Sequence, residues 1–127
     1  MKRLAIFLVA IFLASAARAD PVSDVRKAVE MWGPIVVKMR PVTLRVVLNQ
    51  QQITETIYEA VIFAGICAFV QAGLIDISGI EEIEVLNRFG YQGYVFEGGH
   101  QECRELYKTP RDRRNLHLLG MSRLYGK

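Results

Sequence analysis

A long helical pattern between two strand patterns limits the folds that this chain can adopt. Residues 50–72 are spaced as a helix, with Asn49 as a candidate N-cap and Gly73 as a candidate left-handed terminator. Residues 42–48 before it, and residues 80–89 after it, alternate apolar and polar side chains as half-buried strands do. A strand that is followed by a long helix and another strand normally returns parallel to the first strand. The sequence therefore predicts a mixed sheet that this helix covers.

The remaining patterns complete one small domain. A helix is predicted over residues 23–31, a second hairpin strand over residues 91–97, and a final helix over residues 100–108. We therefore expect an α+β fold, in which a small mixed three-stranded sheet has helices packed on one face, in the order αβαββα.

The N-terminus has the pattern of a secretory signal peptide. Lys2 and Arg3 precede an apolar run over residues 4–17, and Ala17-Arg18-Ala19 forms a small-x-small cleavage site. We expect a cleaved signal peptide over residues 1–19, a compact domain over residues 20–109 and a basic C-terminal tail over residues 110–127. The expected location is the periplasm or the outside of the cell.

Cleavage would remove the excess positive charge. The chain has 16 basic and 13 acidic residues, and three basic residues belong to the signal segment. The remaining chain is formally neutral, so the charge gives no support for a nucleic-acid partner. Residues 108–127 nevertheless carry a net charge of +5, and residues 20–107 carry −5. The tail either neutralises the acidic body or binds an anionic partner through Arg111, Arg113 and Arg114.

The two cysteines of an exported chain usually pair with each other. We therefore predict a disulfide between Cys67 and Cys103, which would hold the last helix against the middle of the long one. One alternative is a pair of buried free thiols. Another is a metal site formed by His100 and Cys103 with His117 or Met121. Because a single His-x-x-Cys spacing is common by chance, we predict no metal and no cofactor.

The long helix could also be a membrane span over about residues 57–77. Its apolar stretch is bounded by Glu59 and Asp76, which leaves it shorter than the roughly 20 residues that a span needs. We therefore favour a helix buried in a globular domain and predict no membrane span.

Catalytic patterns are weak in this sequence. His100 and His117 are candidates for the acid and base of a small hydrolase or nuclease, but nothing in their spacing requires that they share a cleft. No Gly-x-Ser-x-Gly motif is present. We therefore predict that the protein is not an enzyme.

The predicted hairpin is rich in aromatic residues. It contains Arg88, Phe89, Tyr91, Tyr94 and Phe96, and aromatic residues beside an arginine are common anchors of protein–protein contacts. Tyr94 and Phe96 share one side of a strand, so they would form an exposed pair if that side were uncovered. The favoured hypothesis is a small exported binding module of the cell envelope, such as an assembly component, adaptor or inhibitor, with an envelope protein as its partner.

Overall fold

The protein has a five-stranded mixed sheet that is covered on one face by helices. The computed structural model describes residues 20–126, and the predicted signal peptide lies outside them. The strands lie in sequence order across the sheet. They are β1 (Pro34–Met39), β2 (Thr43–Leu48), β3 (Glu82–Leu86), β4 (Gly93–Phe96) and β5 (Ser122–Leu124).

In the described part of the chain, four helices accompany the sheet. They are α1 (Pro21–Ala28), α2 (residues 55–71), α3 (His100–Lys108) and α4 (Arg114–Gly120). The central part of α2, Val61–Cys67, is wound as a π-helix. Within residues 20–126, no helix combines the length and the apolar character that crossing a membrane requires.

The α+β class and the parallel return of the chain are confirmed, but the predicted number of three strands is wrong. β2 and β3 pair in parallel through the α2 crossover, and β3 pairs with β4 as the predicted hairpin. The two additional strands are the edges, since β1 pairs antiparallel with β2 and β5 pairs antiparallel with β4. Neither edge strand has a regular alternation of apolar and polar residues. β1 contains a register shift after Pro34, and β5 has only three residues.

The long helix begins later than the sequence pattern indicates. Thr54, not Asn49, caps α2, and its side chain accepts a hydrogen bond from the backbone of Ile57. The preceding segment is held out of the helix because the Gln92 side chain bonds both the backbone N–H and the carbonyl of Ile53, at 2.7 and 2.9 Å. This bidentate contact replaces the helical hydrogen bonds that the backbone of Ile53 would otherwise make.

The core lies between the helices and one face of the sheet. Leu44 and Val46 of β2, Ile83 and Val85 of β3 and Phe96 of β4 are buried there against α1, α2 and α3. The opposite face carries a line of ion pairs instead. Arg45 pairs with Glu84 at 3.1 Å, and Arg123 pairs with Glu82 and Glu97 at 3.2 and 3.0 Å.

The segment after Thr109, predicted as a basic tail, contributes to the folded structure. Leu118 of α4 is buried in the core, and β5 completes the sheet beside β4. The hydroxyl of Tyr58, on α2, hydrogen-bonds the hydroxyl of Ser122, which in turn donates to the carbonyl of Leu118. These contacts connect α4 and β5 to α2.

A disulfide joins Cys67 at the end of the π-helical segment to Cys103 in α3, as the sequence predicts. Both cysteines are fully buried, and their Cα atoms are 4.9 Å apart. Cys103 is therefore not available as a thiolate ligand, which removes the His100-Cys103 metal site. A disulfide is typical of proteins in an oxidising compartment.

Removal of this bond should lower stability substantially. Because the bond closes a loop across 36 positions of sequence, the chain-entropy model gives it about 4 kcal/mol. The Cys67→Ala, Cys103→Ala variant is therefore expected to lose about that free energy of unfolding in urea titration. A loss below about 1 kcal/mol would show that the unfolded chain is not constrained in this way.

Candidate functional site

The turn between β3 and β4 presents two aromatic rings to solvent. Phe89 and Tyr91 are 57% and 68% exposed, and their rings stack with centroids 5.6 Å apart. The Arg88 guanidinium lies over the Phe89 ring, 5.1 Å from its centroid. We call the surface formed by Arg88, Phe89 and Tyr91 the hairpin tip.

A buried asparagine holds the hairpin tip in shape. The side-chain oxygen of Asn87, which is 1% exposed, accepts hydrogen bonds from the backbone N–H groups of Tyr91 and Gln92, both at 3.2 Å. Gly90 adopts a φ of 74°, which a residue with a side chain rarely adopts, and its N–H donates to the Asn87 carbonyl. The exposed rings are thus carried by a turn whose backbone is locally hydrogen-bonded.

A second set of hydrogen bonds fastens the hairpin tip to the loop before α2. The Asn87 side-chain nitrogen donates to the carbonyl of Gln51, and the backbone N–H of Arg88 donates to the carbonyl of Gln50. Together with the Gln92 contact to Ile53, these bonds make one rigid platform of the two loops.

The exposed aromatic pair differs from the one that the strand pattern suggests. Phe96 is fully buried, and Tyr94 is half-buried with its ring stacked on Tyr58 at 4.7 Å. The side of β4 that carries them faces the helices, so they do not form a surface together. Arg88 is exposed, and it lies beside Phe89 and Tyr91 instead. The turn residues Asn87 and Gly90 were the signal in the sequence that could have identified this position.

A cavity of about 370 Å³ lies between α2 and the segment 111–118. Ala60, Phe63 and Leu118 form its apolar side, and Glu59 and Arg114 lie among its polar residues. The Arg114 guanidinium stacks on the Phe63 ring, 4.2 Å from its centroid. In the sequence, Glu59 stands out only as a boundary of the apolar helix. Its position one helical turn after Glu55 was the available sign that two acidic side chains lie close together on α2.

The carboxyl of Glu59 is partly shielded from solvent in this cavity. One of its oxygens, Oε1, is buried and has no hydrogen-bond partner within residues 20–126. Burial raises the pKa of the Glu59 carboxyl, and the nearby charge of Glu55 raises this pKa further. The site therefore holds one carboxylate oxygen that no group within residues 20–126 hydrogen-bonds.

The two histidines make separate contacts. Nδ1 of His117 bonds the hydroxyl of Thr109, next to the end of α3. His100 lies at the start of α3 and lines a shallow cavity with Gln101, Arg104, Glu105 and Lys108, which does not include His117. The structure does not bring the two imidazoles together in this cavity, and a hydrolase that uses both of them gains no support from it.

The basic residues of the C-terminal segment divide into two groups. Arg123 is engaged with acidic residues of the sheet, and Arg114 is stacked on Phe63 and donates to the Thr109 carbonyl. Arg111 and Arg113, in the helical turn Arg111–Arg113, are exposed. Part of the segment's charge thus neutralises the body, and part of it faces solvent.

The chain matches no protein-family model, no curated protein and no solved structure. The assignment of function consequently depends on the geometry of the hairpin tip and the cavity.

Glu59 provides a test of the cavity's electrostatics. Because the folded state raises the pKa of this acid, its contribution to stability decreases as the pH rises through the folded-state pKa. At pH 7, Glu59→Gln should therefore melt at the same temperature as the wild type or at a higher one. Any gain in melting temperature should shrink as the pH falls toward about pH 4.

The matched control for this measurement is Glu81→Gln, since Glu81 is an exposed acid outside the cavity. It should show no such pH-dependent gain. A lower melting temperature of Glu59→Gln at pH 7 would mean that the carboxylate stabilises the fold, contrary to its lack of a partner.

Proposed function

We propose that this protein is a small exported, non-enzymatic binding module of the cell envelope, and that it recognises an envelope protein through the hairpin tip. The proposed location is the periplasm or the outside of the cell. The pattern of residues 1–19 and the buried disulfide both support export, because such bonds persist in oxidising compartments.

The observation that carries the proposal is the exposure of two stacked aromatic rings beside an arginine. Aromatic residues and arginine are the side chains that most often dominate binding energy in protein interfaces. A soluble domain gains no stability from leaving Phe89 and Tyr91 in water, since burying such rings is favourable. Their position therefore favours a partner that covers them.

The rigidity of the platform adds to this argument. Because Asn87 and Gln92 hold the turn from both sides, binding would require little ordering of the backbone. Preorganised aromatic side chains give a large contact area at a small cost in conformational entropy. The expected partner surface is an apolar groove with a carboxylate positioned for Arg88.

The face of the sheet opposite to the helices, called here the open face, is less suited to binding a partner protein. Its arginines and glutamates already pair with one another, so a partner there would have to break or desolvate existing ion pairs. Among residues 20–126, no ion pair engages Arg88, so a partner at the hairpin tip would have none to break.

Affinity capture from an envelope extract tests the proposal. Residues 20–127 should capture a defined protein, and the Phe89→Ala, Tyr91→Ala variant should retain less than a tenth of it, because interface aromatics commonly contribute about 2 kcal/mol or more each. Leu116→Ala is the matched control, since Leu116 is 69% exposed but lies on α4.

Both variants should keep the melting temperature of the wild type, because neither removes a buried contact. Equal capture by all three proteins would exclude the hairpin tip as the recognition surface. Truncation after Thr109 is not a suitable test of the C-terminal segment, since it would also remove buried Leu118 and strand β5.

A further inference from the structure

The cavity beside α2 carries opposite charges that are not paired with each other. Glu59 comes from α2, whereas Arg111 and Arg114 come from the C-terminal segment. No ion pair joins Glu59 to either arginine in the part of the chain that the structure describes. Opposite charges that share a cavity without contact leave room for a ligand between them.

Two buried polar atoms in these side chains lack a hydrogen-bond partner. They are Oε1 of Glu59 and Nε of Arg114, in residues that both line the cavity. Buried polar atoms are normally satisfied, and leaving one unpaired costs about 1–3 kcal/mol. The orphaned carboxylate oxygen points to a missing hydrogen-bond donor.

The composition of the cavity restricts the ligand that can fill it. A simple anion would meet the Glu59 carboxylate, and a simple cation would meet the two guanidinium groups, so either one leaves a repulsive contact. A zwitterion satisfies both. The apolar side formed by Ala60, Phe63 and Leu118 accepts a hydrocarbon group, and about 370 Å³ lies within the range of small-molecule sites.

We propose that this cavity binds a free α-amino acid with an apolar side chain. The ligand ammonium bonds the Glu59 carboxylate, the ligand carboxylate bonds Arg111 and Arg114, and the side chain packs on Phe63 and Leu118. Arg114 is already oriented for this role, because its guanidinium is held between the Phe63 ring and the Thr109 carbonyl.

The electrostatics of Glu59 agree with this assignment. Burial raises the pKa of the Glu59 carboxyl in this cavity, so the charged form is disfavoured there. A ligand ammonium would restore a partner to the carboxylate. A residue that is unfavourable for the free protein and favourable for the complex is typical of binding sites.

The direct test is a calorimetric titration of residues 20–127 with phenylalanine as the probe. Saturable binding with a Kd in the millimolar range or tighter is expected for a ligand of this size. Glu59→Gln and Arg111→Gln should each weaken binding at least tenfold, because each removes a charge-assisted contact. Arg113→Gln, in the same helical turn but outside the cavity, should bind as the wild type does.

Two derivatives of the probe identify which group contacts which residue. N-acetylphenylalanine lacks the ammonium, and phenylalaninamide lacks the carboxylate, so each should bind the wild type at least tenfold more weakly than phenylalanine. In Glu59→Gln, acetylation should no longer weaken binding, since the group that reads the ammonium is absent.

Several results would overturn the proposal. These are the absence of saturable phenylalanine binding, equal binding by Glu59→Gln, or binding of N-acetylphenylalanine or inorganic phosphate as tightly as phenylalanine. Binding of N-acetylphenylalanine or inorganic phosphate as tightly as phenylalanine would describe an anion site only. The Phe89→Ala, Tyr91→Ala variant should bind phenylalanine normally, so the cavity and the hairpin tip can fail independently.

Discussion

The disulfide between Cys67 and Cys103 is the constraint on which the rest of this small fold depends. It joins the crossover helix α2, which connects β2 to β3, to helix α3, which follows β4. The two parts of the mixed sheet are thereby covered by helices that cannot separate. A domain of this size has a limited core, so one covalent contact at its centre accounts for a large share of its stability. Helix α3 also packs on α2 through Tyr107, which is stacked on Phe63. The segment after α3 contacts α2 through the hydrogen bond between Ser122 and Tyr58.

Much of the fold could be predicted because its signals are local. Alternation identified β2, β3 and β4, Gly73 marked the end of the long helix, and α3 has the predicted bounds His100–Lys108. The disulfide followed from the number of cysteines and the signal pattern. The edge strands were missed because their existence depends on partners far away in sequence. β5, for example, has three residues and exists only through pairs such as Tyr94 with Leu124.

Two other features of the structure could not be predicted from the local sequence pattern. The start of α2 is set by the Gln92 side chain, about 40 residues away, and the π-helical winding of Val61–Cys67 leaves no mark in a pattern that assumes regular α-helical spacing. The sequence could not show whether Tyr94 and Phe96 are exposed, because β4 is apolar on both faces. Tyr94 and Phe96 do lie on one side of the strand, but Val95 on the other side is also buried, so alternation could not tell which face the helices cover.

The hairpin tip combines exposure, aromatic character and a rigid support. It lies outside the network of ion pairs that occupies the open face of the sheet. Site-specific photocrosslinking in living cells tests its role most directly. A photoreactive amino acid at position 91 should form a discrete adduct with one envelope protein, and the same group at position 116, which is equally exposed, should not. The absence of an adduct at position 91, or identical adducts from both positions, would contradict recognition through the hairpin tip.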